Sequence, residues 1–225
     1  MISLAESLIP AKTRTRYLKS IKEPTDNLLK SGANNKKLGG KVTAKMWKGM
    51  PLYSLTLEER ASCPSSCEQW DNCYGDNMPF AHRYDHTHPD FLPKLRQQLN
   101  QLNNKHTAGF VVRLHVLGDF YSEGYINQWR RNLNLFQALR VFGYTHHKQT
   151  TYLGGAIQLL NKHYPERFKI RFSDDLTTDF SALTTKTAKD TSKGIFCPEQ
   201  TGKTDSCAAC GYCWTSNRPV IFVEH

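Results

Sequence analysis

The chain has 225 residues, 39% of them hydrophobic and 11% aromatic, enough for a folded core and too many for wholesale disorder. The formal charge is +10, and no apolar run approaches the length of a membrane span. The first residues, Met1-Ile2-Ser3-Leu4-Ala5-Glu6, lack a charged leader followed by an apolar block, which excludes a secretory signal and points to a reducing, cytoplasmic setting.

Taken in chain order, residues 1–40 read as a basic N-terminal arm. Residues 1–50 hold eleven Lys and Arg against three acids, and Lys30 to Gly40 is loop by composition. Such a segment suits a phosphate backbone and equally suits a solvated surface. An α/β core is expected over 41–180. Its predicted elements are a strand over 51–57, a helix over 89–104 with apolar residues at helical spacing, and a strand over 109–117. A helix over 122–135 follows, N-capped by Ser122, then a strand over 139–144, a helix over 153–164 stopped by Pro165, and a strand over 168–172. Residues 174–196 carry no clear pattern. Residues 181–225 form a cysteine-rich segment packed on the core, with a last strand over 219–223. This alternation predicts an α/β fold whose mainly parallel sheet has helices outside. In such folds sites lie at the carboxyl ends of the strands. The polar runs Glu58-Glu59-Arg60, Gly118-Asp119, Tyr144-Thr145-His146-His147 and Ser173-Asp174-Asp175 fall at those ends. Trp47 and Trp129 are expected in the core.

The seven cysteines fall in two tight groups: Cys63, Cys67 and Cys73, then Cys197, Cys207, Cys210 and Cys213. The odd count argues against a closed disulfide set, and short gaps converge thiols on a point, as a metal ion or iron–sulfur cluster needs. Three thiolates in the first group hold three irons of a [4Fe–4S] cluster and leave one open. Alternatively they hold zinc, completed by His82, His86 or His88. The second group fills all positions of a cluster or of a zinc site. Three thiols within seven residues suit a cube somewhat better than zinc's two separated pairs, and one or two clusters are expected in all.

Arg113, His115 and Asp119 sit at odd positions of one strand end, where they share a face. They line a polar pocket with Arg113 holding a carboxylate or phosphate, or else Arg113 and Asp119 form a buried ion pair. His146 is a candidate general acid or base without an evident partner.

The three-cysteine loop after the first strand resembles the radical S-adenosylmethionine superfamily. That likeness implies a partial (β/α) barrel, an open iron binding S-adenosylmethionine, and homolytic cleavage of its sulfonium. Arg113, Gly118, Asp119 and Ser173 become its cofactor-binding candidates, and Asp119 and His146 its catalytic ones. The family's usual spacing is C-x3-C-x2-C, whereas the second gap here is five residues. A second resemblance covers residues 35–225. Leu52 to Leu57, Cys63-Pro64 to Gly75, Val112 to Phe120, Phe142 to Thr145, Arg171-Phe172-Ser173 and Cys197-Pro198 through Trp214 are similar to the phage and prophage "gene product 88"-like proteins. This implies a mobile-element origin and a host-cell cytoplasmic location. The expected function is an iron–sulfur enzyme acting on nucleic acid or a nucleotide. The alternative is a nucleic-acid-binding module whose metals, iron–sulfur or zinc, are structural.

Overall fold

A computed structural model describes residues 14–187 and 192–224. Its large sheet has eight strands in the order β2 (Lys30–Ser31), β3 (Leu52–Ser54), β5 (Phe110–Leu114), β6 (Leu139–Thr145), β7 (Phe168–Ser173), β8 (Ser181–Thr185), β10 (Val220–Val223) and β9 (Ile195–Phe196). Only β2 is antiparallel to its neighbour; every other pairing is parallel. Two short strands, β1 (Ile21–Lys22) and β4 (Arg83–Tyr84), pair separately. The helices are α1 (Phe91–Lys105), α2 (Glu123–Leu135), α3 (Tyr152–His163) and the single turns α4 (Cys207–Cys210) and α5 (Tyr212–Thr215).

Local sequence accounts for the long elements. Phe91, Leu95, Leu99 and Leu102 form one stripe on α1, and Tyr125, Ile126, Trp129 and Leu133 form one on α2. As expected, Ser122 caps α2, its Oγ accepting the Tyr125 N–H at 3.2 Å. Thr151 does the same for α3 through the Gly154 N–H, and Pro165 follows the end of α3. Strand alternation then sorts the sheet. Phe110, Val112, Leu114, Val141 and Ile170 join the cluster containing all three long helices. Val111 and Phe142 join a second cluster with Leu38, Trp47, Leu52, Ala208 and Trp214. Trp47 and Trp214 stack at 5.2 Å between centroids, and Trp129 is fully buried in the first cluster.

From β3 to β8 the large sheet follows chain order without reversal, so successive crossovers put the helices on one face. The other face is left for the segments bearing the cysteines. Among the described residues the sheet is open, ending at β2 and β9, with no closed barrel. The N-terminal segment differs from expectation. Residues 1–13 lie outside the described residues. Beyond them Leu28, Leu29 and Leu38 are buried and Lys30–Ser31 is an edge strand, so the stretch to residue 40 is integral to the fold. The unpatterned stretch over 174–196 supplies β8 and β9; β8 reads poorly because it is Ser-Ala-Leu-Thr-Thr. Among the described residues no helix is long and apolar enough to cross a membrane.

Candidate functional site

A cavity of about 460 Å³ opens where the parallel strands end, at Arg113 to Gly118 after β5, Tyr144 and His146 of β6, and Ser173 and Asp174 of β7. All seven cysteines line it. All seven are free thiols. A wider groove between α1 and α2, lined by residues such as Arg96, Gln128 and Leu135, contains neither cysteine nor histidine. Chemistry therefore concentrates at the strand ends.

The first cysteine group is held by a buried charge lock. Arg83 and Glu59 are 0% and 1% exposed at their side chains, and pair through Nε to Oε2 at 2.6 Å and Nη2 to Oε1 at 2.9 Å. The remaining Arg83 N–H groups donate to the carbonyls of Gly75, Met78 and Ala81 and to Ser20 Oγ, at 2.9–3.0 Å. These partners flank the loop, so one guanidinium fixes its downstream side. Arg60 adds an ion pair to Asp76 at 2.9 Å. On the upstream side Ser62 Oγ donates to the Glu58 carbonyl and accepts the Asp119 N–H. Gly118 makes this approach possible. Its φ is +87°, and a Cβ there would lie 2.5 Å from Ser62 Oγ and 2.7 Å from Leu57 Cβ. Gly118→Ala is expected to lose roughly 1–3 kcal/mol from backbone strain alone, before any clash with Ser62. Urea titration checks this, and an unchanged midpoint would show that the turn relaxes freely.

The second group is docked by Arg171, a fully buried residue of β7. Its Nε donates to the Cys213 carbonyl at 3.0 Å, Nη1 to the carbonyls of Ser181 and Arg218 at 3.1 and 3.0 Å, and Nη2 to that of Ser216. Its guanidinium also lies over the Phe180 ring at 4.4 Å. Cys207 and Ala208 donate their N–H groups to the carbonyls of Lys37 and Leu38, while Cys197 donates to Ile221. Gly211, at φ +63°, makes the left-handed turn between α4 and α5 that separates Cys210 from Cys213. Tyr144 Oη donates to Cys213 Sγ at 3.0 Å.

Of the residues expected to bind cofactor, Arg113, Gly118 and Ser173 line the cavity and Asp119 does not. The Asp119 carboxylate instead accepts the N–H of Phe120 and of His146, each at 2.7 Å. The shared face of Arg113, His115 and Asp119 is broken because His115 adopts φ +46°, and the alternative Arg113–Asp119 ion pair does not form. His146 gains the partner its sequence did not reveal. Its Nδ1 lies 4.0 Å from Asp119 Oδ2, although burial still pulls its pKa down. His82, His86 and His88 are absent from the lining; His86 instead packs at a tilt against Tyr121. The histidines in the lining are His115 and His146.

Thiol chemistry of this kind fits a thiophilic metal or an iron–sulfur cluster. Among the described residues, though, no three His, Cys, Asp or Glu side chains are grouped so as to hold a metal ion. Burial raises the pKa of every shifted thiol: Cys63 far up, Cys67 to about 11, Cys207 to about 12, and Cys73 and Cys197 less. Asp119 and Asp174 push Cys67 further up, and Cys213 and Cys197 do so for Cys207, which Arg113 and Lys37 only partly offset. Sequence reasoning missed the Arg83–Glu59 lock and the Arg171 dock. The available signal for the latter was a charge between Ile170 and Phe172 in an otherwise buried strand. Tyr212 and Trp214, which line the cavity beside the last cysteine, were also missed.

A family model described as gene product 88 matches residues 22–216. No curated protein and no solved structure matches the chain.

Proposed function

The chain belongs to the gene product 88 family, and we propose that within this family fold it works as a metal–thiolate protein of the iron–sulfur type. Cys63, Cys67 and Cys73 hold a [4Fe–4S] cluster with one iron left without a protein ligand. Cys197, Cys207, Cys210 and Cys213 hold a second centre, a further cluster or zinc. The observation that carries this reading is the convergence of all seven thiols on one cavity at the carboxyl ends of the strands. A cubane keeps its thiolates apart at its corners, whereas zinc draws them onto one atom, so thiols spread around a cavity favour the cluster.

A bound cluster supplies one-electron chemistry and an open coordination position. The chain's own residues do the rest. Gly118 and Ser173 contribute small residues to the cavity wall. His146, steadied by Asp119, presents an imidazole for proton transfer. S-adenosylmethionine is the cofactor to which the radical-enzyme likeness points, and its amino and carboxylate groups suit an open iron. The +10 charge supports a polyanionic substrate, nucleic acid or a nucleotide.

Anaerobic purification tests this. The protein is expected to be brown, with broad absorption near about 400 nm and stoichiometric iron and acid-labile sulfide. Cys73→Ala is expected to remove the iron of the first centre and retain that of the second. A colourless protein with stoichiometric zinc would falsify the cluster and leave a nucleic-acid-binding module with structural metal.

A further inference from the structure

Arg113 stands apart from the other arginines around the two cysteine loops. Arg60 and Arg83 are paired with carboxylates, and Arg171 is saturated by four carbonyls. Arg113 has no carboxylate within ion-pair distance among the described residues. It lies over the Tyr144 ring at 4.4 Å, and Nη1 donates to the Leu114 carbonyl. Most of its donor fork is therefore unused, and the residue lines the seven-cysteine cavity.

A second observation concerns the same lining. His115 Nδ1, Trp214 Nε1, Tyr212 Oη and Asp174 Oδ2 are buried polar atoms without a hydrogen-bond partner, and all four residues line this cavity. His115 and Trp214 are 4% and 1% exposed. Orphaned buried polar atoms are destabilising, and four of them on residues of one lining leave that wall more polar than the fold itself satisfies. Tyr125 Oη lies 3.0 Å from His115 Nε2. Burial raises the Tyr125 pKa, keeping the phenol protonated, and burial and Arg113 keep His115 neutral.

We propose that Arg113, in a lining it shares with His115, anchors the anionic group of a small carboxylate- or phosphate-bearing molecule inside the cavity. The guanidinium fork matches either oxyanion in two-pronged fashion. Phe222 and Val116, both half-buried in the lining, offer apolar surface to its body. A cavity of about 460 Å³ admits a molecule of nucleoside-monophosphate size or smaller. This inference rests on the reading of the cavity as the functional site and is independent of the metal.

The test is calorimetric titration of the full chain, as isolated anaerobically and again after metal removal. The probes are inorganic phosphate, adenosine 5′-monophosphate and succinate, with chloride held constant. At least one is expected to bind, and the one that does separates a phosphate from a carboxylate ligand. Arg113→Met is expected to weaken binding tenfold or more, with Arg113→Lys between, because lysine keeps the charge and loses the fork. If none binds, or if Arg113→Met lowers metal content and leaves anion affinity unchanged, Arg113 merely offsets thiolate charge and the proposal fails. Should Arg113→Met not fold, nitrogen NMR of the wild type decides: the His115 ring resonances shift on anion addition, or the proposal is wrong. A colourless chain that binds the anion removes the cluster and keeps this inference; a brown chain that binds none does the reverse.

Discussion

Replacing Arg83 by methionine is expected to destabilise the fold by about 3–5 kcal/mol, the range for breaking a buried ion pair from one side. The substitution leaves the Glu59 carboxylate in a dry site with Thr15 Oγ1 as its remaining donor, at 2.6 Å. It also removes a donor from each of the carbonyls of Gly75, Met78 and Ala81, the first two of which keep a backbone N–H. For a chain of this size the melting temperature should fall by on the order of 10 °C. The partner change discriminates lost charge from lost packing. Arg83→Met combined with Glu59→Leu should recover much of the loss, because the desolvated charge is gone. The single variant should also raise the reactivity of Cys63, Cys67 and Cys73 toward alkylating reagents, since the loop loses its clamp. Wild-type stability in the single variant would mean that the loop is held elsewhere.

The second large effect is expected at Arg171. Arg171→Met leaves the carbonyls of Cys213, Ser181, Arg218 and Ser216 without their donor, at about 1–3 kcal/mol for each that stays dry. Water reaching some of them from the cavity limits the total to roughly 3–5 kcal/mol. The loss should be local. Amide exchange over residues 207–216 should speed up by two orders of magnitude or more, while α1, α2 and α3 keep their protection. Equal loss of protection throughout the chain would show that the C-terminal segment and the sheet unfold as one unit, contrary to this docking.

The sheet and its helices were legible because each rests on local periodicity. The apolar, β-branched run from Phe110 to Leu114 and the 3–4 spacing from Phe91 to Leu102 need no distant partner to be recognised. The edges were not legible. Lys30–Ser31 is a strand only because β3 lies beside it, and Ser181–Thr185 only because β7 and β10 flank it. The cysteine spacings marked the two groups, but no local rule tells that both face one cavity, since that depends on which face of the sheet the helices leave free. His115 shows the limit within a single strand. Period-two reasoning put it on the Arg113 face together with Asp119, and a left-handed residue at 115 ended the alternation.

The seal between the chain's two ends has a consequence for biosynthesis. Lys37 and Leu38 accept the N–H groups of Cys207 and Ala208, Thr43 N–H donates back to the Ala208 carbonyl, and Gln69 reaches Thr184. One wall of the cavity emerges from the ribosome long before the other, and closing so long a loop requires the intervening strands to be in place first. Nascent thiols in the first group therefore wait uncovered until the segment carrying Cys207 has been made. Assembly of this pocket is a finishing step of maturation, and whatever enters it arrives at an already folded protein.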